Sequence, residues 1–159
     1  MRRAPGPDAD EAGEQRMSYE EKGVWSFLAI AVIGYAVYLV LVIPRLAGTP
    51  IGEVDYVWPM VWTIGGAIVA GIVLRILIEV VAPSESTRAD QRDREIERAG
   101  DRVGNSIIVI GALAALVMAW FELDWFWIAN ALYLCFVISG ILSSLAKLAA
   151  YRTGGFQQW

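Results

Sequence analysis

Four carboxylates stand in two copies of one short phrase. EVDYVW at 53–58 returns as ELDWFW at 122–127, so Glu53, Asp55, Glu122 and Asp124 repeat the same spacing ahead of an apolar run. Brought to one place, four hard oxygen ligands would hold a divalent cation. Taken apart, each pair suits a helix start, where exposed amides and the macrodipole favour negative charge. The aromatic residues Tyr56, Trp58, Trp125 and Trp127 that follow favour a membrane–water boundary. Two independent caps need no convergence, and no metal site is expected.

Other polar groups within apolar sequence are few. Arg75 and Glu79 lie one turn apart, and Arg75 is the nineteenth residue counted from Val57. Such a depth lets a guanidinium snorkel to an interface, so the pair reads as an anchor before it reads as a solute ligand. Asn130 falls about 8 Å inside the opposite boundary at ~1.5 Å per residue, and is expected to bond another helix through Thr63 or a tyrosine. Tyr35 and Tyr38 suit the same use. No unpaired carboxylate lies near a midplane, which weighs against an ion-coupled carrier.

The chain has no histidine and one cysteine, Cys135. Histidine-ligated haem, histidine zinc sites, cysteine-ligated clusters, an intrachain disulfide and any histidine-dependent triad are thereby excluded. No cofactor and no enzymatic activity are expected. A net charge of -4 offers no concentrated basic face for nucleic acid.

One charged stretch is unusually ordered. In RADQRDREIERAGDRVGNS, read as a helix over about 88–102, Ile96 and Val103 share a face with Ala99 and Gly100 beside them. Asp93, Glu97 and Asp101 line one flank, and Arg94, Arg98 and Arg102 the back. A solvated stalk, a docking helix for a cytosolic partner, and attraction to anionic lipid are all open. The helix either continues into the next apolar run or bends at Gly100 or Gly104.

The elements that must position these groups follow from the apolar runs. Of the 159 residues 57% are hydrophobic, and the segments 23–43, 57–74, 103–121 and 125–146 carry no charge. Each approaches or exceeds the ~20 residues that cross ~30 Å of hydrocarbon. The expectation is an all-α integral membrane four-helix bundle. It consists of two antiparallel transmembrane hairpins with a cytoplasmic amphipathic helix between them. The spans are placed at about 23–43, 57–81, 103–121 and 125–148, within a domain of 23–150. Residues 1–22 read as a disordered cytoplasmic tail without a cleaved secretory signal, and 151–159 as a short cytoplasmic tail. Met17 is a second candidate start.

Basic residues orient the spans. Eleven lie in the first 22 residues, in the 88–102 segment and after residue 146, against Arg45 alone on the opposite side. Both termini are expected to be cytoplasmic. Small residues supply seams for close packing: Ala131, Cys135, Ser139 and Ser143 recur every four residues, and Gly104, Gly111, Ala112 and Ala115 are available on the preceding run. Setting residue n against n+69 aligns Gly71 and Ile72 with Gly140 and Ile141, which raises duplication of a hairpin as one origin of the repeat.

The segments MSYEEKG, YVWPMVWTIGGAI, DQRDREIERAGDRVG and FWIANALYL resemble a group of uncharacterised bacterial multi-pass membrane proteins, a domain of unknown function. The likeness covers nearly the whole chain after Met17. It implies four spans in a bacterial plasma membrane and carries over no functional residue. The leading functional expectation is a small non-enzymatic accessory or regulatory membrane subunit. Its partners would be the lipid bilayer and either a second copy or another membrane protein. The alternative is an oligomeric transporter or channel for small solutes or cations.

Overall fold

The computed structural model describes residues 19–81 and 91–153. Four helices account for nearly all of them: α1 (Tyr19–Val42), α2 (Val57–Val81), α3 (Gln91–Trp120) and α4 (Trp125–Thr153). No strand occurs among the described residues. All four helices are long and apolar enough to cross a membrane.

Local chemistry sets the helix ends. Pro44, without an N–H, stands two residues past the end of α1, and the chain tightens into a 3-10 turn over Ile43–Leu46. Gly48 then takes φ +89°, a left-handed conformation that glycine adopts without a Cβ penalty. A second 3-10 turn, Ile51–Glu53, leads to α2. Pro59 stands in the first turn of α2, where its missing N–H costs no intrahelical bond.

The α3–α4 connection is shorter. The amide of Glu122 donates to the Ala119 carbonyl at 3.1 Å, and that of Leu123 to Met118 at 3.1 Å. This pair of bonds is a Schellman closure, and it places Glu122 at φ +53°, where glycine is the usual residue. Asp124 then caps α4, its Oδ1 accepting from the Phe126 amide at 2.8 Å.

The two acidic phrases are therefore alike in sequence but not in conformation. Glu53 ends a 3-10 turn while Glu122 is left-handed. Val54 is buried while its counterpart Leu123 is exposed. Asp124 caps a helix, whereas Asp55 pairs with Arg45 at 3.1 Å and does not act as the second cap expected from the repeat.

α4 is the hub. It packs against both α3 and α1, α1 packs against α2, and α2 and α3 are not packed along their lengths. The order across the molecule is α2, α1, α4, α3. Of the most apolar 18-residue window of α4, 28% is buried, against 6% for α2, which places α2 at the margin.

The seam between α3 and α4 is built from the small residues. A Cβ placed on Gly111 would lie 2.5 Å from the Cys135 Cβ, and one on Gly104 3.2 Å from that of Ser143. One on Gly100 would meet Lys147 at 2.5 Å. Ser139 donates to the Gly104 carbonyl at 2.8 Å. Cys135 is thus a packing residue whose size matches a glycine opposite.

α3 is one 30-residue helix, unbroken at Gly100 and Gly104. At ~1.5 Å per residue it is about 45 Å long, longer than a hydrocarbon core. Its charged turns are exposed on most sides but packed along one line. Ile96 is 1% exposed, and Gly100 packs against the end of α4, where Leu148 and Ala150 are buried. Val103, expected on that same face, is exposed. Residues four apart advance about 40° around a helix. The contact line through Ile96, Gly100, Gly104, Gly111 and Ala115 therefore drifts away from Val103.

Candidate functional site

Because α2 and α3 stay apart, the concave side of the helix row holds a cleft of about 560 Å³. α1 and α4 form its floor through Phe27, Ile30, Gly140 and Ser143, and α2 and α3 form its walls. Gly71 lines the α2 wall with nothing within 4 Å of where its Cβ would be. Gly140 lets the Phe27 ring approach the floor, since a Cβ there would lie 3.3 Å from the ring edge.

The cleft is apolar over most of its length and charged at one end. Arg75 enters from α2, Glu97 and Asp101 from α3, and Lys147 from α4. Lys147 Nζ meets Asp101 Oδ1 at 2.8 Å, with the lysine side chain 18% exposed and the aspartate 54%. No ion pair joins Arg75 or Glu97 to another described residue. Asn105 and Ser139 add polar groups along the wall. Two cations and two carboxylates thus face one apolar slot.

Towards the other end α1 and α2 close, and a Cβ placed on Gly34 would lie 3.7 Å from that of Ala67. Beyond it lies a polar network among apolar neighbours. The Tyr38 hydroxyl donates to Asn130 Oδ1, and Asn130 Nδ2 donates to the Phe126 carbonyl at 2.8 Å. Tyr133 donates to Thr63 Oγ1 at 3.3 Å, and Thr63 in turn donates to the Pro59 carbonyl at 2.8 Å. Tyr35 meets Tyr133 edge-on at 5.3 Å between ring centroids. Tyr38, Tyr133, Val42, Val54, Phe126 and Val137 form the buried core of this half.

The residues singled out from sequence separate accordingly. Arg75 lies on the cleft. Asn130 bonds a tyrosine on another helix and stands in the core network, away from the cleft. Arg98 and Arg102 are exposed on α3 beside Asn105 and Ser106, and Arg94 is exposed one turn earlier. The Glu79 side chain, the other half of the expected anchor, lies outside the described residues. The repeated phrases lie side by side, with Asp124 Oδ2 3.1 Å from where a Cβ on Gly52 would be and the Tyr56 and Phe126 ring centroids 5.2 Å apart, but their four carboxylates form no metal cage. Among the described residues no group of three or more Asp, Glu, Cys or His side chains is placed to hold a metal ion. Instead Arg45, the single basic residue of its connection, ties both the side chain and the carbonyl of Asp55.

Sequence reasoning missed Lys147 and Tyr133. Both carried a signal. Lys147 continues the four-residue spacing of Ala131, Cys135, Ser139 and Ser143, so it had to face α3. Tyr133 stands one turn from Asn130 on the same face.

Comparison of the chain with protein families, curated proteins and solved structures finds no match. The site is therefore read from its own chemistry.

Proposed function

We propose that the chain is an integral membrane protein crossing the bilayer four times as two antiparallel hairpins, with both ends cytoplasmic, and that it serves as a non-enzymatic accessory or regulatory subunit. The observation that carries this reading is α2. It is apolar but for Thr63 and a charged last stretch, it packs mainly against α1, and Trp58, Val61, Trp62, Ile68, Val69 and Ile76 are all exposed. Water is a poor surrounding for such a helix, and lipid or another apolar helix a good one. Gly65 and Gly66 on α2 have nothing within 4 Å, leaving backbone open for close helix approach, the means by which transmembrane helices associate. Among the described residues Lys22, Arg94, Arg98, Arg102, Lys147 and Arg152 stand at the start of α1, the start of α3 and the end of α4, with Arg45 in the connection at the other end, and this bias supports the orientation.

Photo-crosslinking from Val69 on α2, in native membranes, tests the subunit reading. Specific crosslinks to one other membrane polypeptide or to a second copy support it. Purification as a lone protomer with no specific crosslink contradicts it.

A second reading, a carrier for small solutes or cations, draws on the cleft, which has charge at one end and is shut by the Gly34 contact and the tyrosine network at the other. Flux in reconstituted vesicles that is lost on Arg75→Gln would favour it. The repeated carboxylates do not motivate it, since no three of them are grouped to hold a metal ion.

A further inference from the structure

We propose that the cleft between α2 and α3 is a binding site for one phospholipid bearing an ethanolamine-type headgroup, with an acyl chain along α2 and the phosphate at Arg75. The inference rests on the membrane-embedded reading. If α2 and α3 both span the bilayer, a slot between them that neither α1 nor α4 fills opens sideways to lipid. Its volume of about 560 Å³ lies within the ~300–1,000 Å³ usual for small-molecule sites.

The distribution of polarity along the slot matches an amphiphile. Phe27, Ile30, Ile68 and Ile72 line the apolar stretch, while Arg75, Glu97, Asp101 and Lys147 stand at one end. Arg75, the nineteenth residue of α2, is set where a headgroup would be. A guanidinium engages phosphate through paired N–H donors.

Charge decides the headgroup. An anionic lipid would gain Arg75 but meet Glu97 and Asp101, whereas Lys147 is already committed to Asp101 at 2.8 Å. Two described charges of each sign suit a headgroup that is itself neutral overall. Glu97 has no ion-pair partner among the described residues and accepts hydrogen bonds only, so a primary ammonium with N–H donors suits it. A choline headgroup has no such donor.

Native mass spectrometry of the full chain, equilibrated in micelles with equal amounts of phosphatidylethanolamine, phosphatidylglycerol and phosphatidylcholine, tests the proposal. One phosphatidylethanolamine per protomer should dominate. Arg75→Gln should weaken retention about tenfold, the scale of one charge-assisted hydrogen bond. Glu97→Gln should bring ethanolamine and choline lipids level. Gly71→Leu fills open space, so it should leave the fold intact and abolish the adduct, while Arg45→Gln at the opposite end should change nothing. Preference for phosphatidylglycerol, adducts in the proportions of the mixture, or indifference to Gly71→Leu would overturn the site. Those results in a chain that needs detergent sink the lipid site alone. A chain monodisperse in plain buffer sinks the membrane reading beneath it.

Discussion

The hydroxyl of Tyr38 donates to Oδ1 of Asn130, tying α1 to α4 across 92 residues of sequence. Among the described residues it is one of two side-chain bonds between long helices in the half of the row away from the cleft; the other joins Tyr133 to Thr63. On the proposed membrane reading neither group has water to fall back on, yet interhelical bonds measured in membranes average only ~0.6 kcal/mol and reach ~1.7.

Tyr38→Phe is accordingly expected to cost about 1 kcal/mol, since it removes the donor and keeps the ring among its aromatic neighbours. Equilibrium unfolding from detergent micelles checks this. A cycle with Asn130→Ala should give a coupling of the same size, and additive losses would mean that the bond contributes nothing.

Gly111 and Cys135 fix how closely α3 approaches α4. A Cβ on Gly111 would sit 2.5 Å from that of Cys135, so Gly111→Ala must push the helices apart or twist them, at about 1–3 kcal/mol. Cys135→Gly should recover a large part of that loss in the double variant, which the same unfolding assay reads as strong non-additivity. Cys135→Ala should recover little, because it keeps the offending atom.

The repeated phrase allows a paired test. Glu122 is left-handed at φ +53° and Glu53 is not. Glu122→Gly should raise stability by about 0.5 kcal/mol, the relief of the left-handed penalty less the added freedom of the unfolded chain. Glu53→Gly should give no gain. Melting temperatures of the two variants separate local conformation from sequence likeness.

Ile96 is the buried apolar anchor of the charged end of α3. Ile96→Ala should cost about 2–4 kcal/mol locally. The expected signature is faster hydrogen exchange over residues 94–102, with protection of α4 near residues 130–140 unchanged. Uniform loss across both regions would mean that the charged turns are not a separable unit.

Much of this architecture was written in the sequence, and the reason is physical. A charge-free run of span length permits few alternatives, and a small residue every fourth position on α4 announces a packing line that Gly104 and Gly111 then meet. A partner for Asn130 was legible because a polar amide in apolar surroundings must find one. Which tyrosine it finds was not, because that depends on the rotation of α1 against α4. The cleft was illegible for a related reason. It exists because α2 and α3 fail to pack, and the absence of a contact leaves no trace in residue types. The acidic phrases misled because two similar runs, identical only at Glu, Asp and the final Trp, open on a 3-10 turn in one place and a Schellman closure in the other.

The central claim is that four spans pass through lipid with both ends on one side. Single cysteines in a Cys135→Ser background test it most directly, using a membrane-impermeant maleimide on intact cells. Thr49→Cys and Leu123→Cys should label from outside, and Glu97→Cys and Arg152→Cys only after permeabilisation. Labelling of all four from outside, or of positions 49 and 123 from opposite faces, would contradict the account.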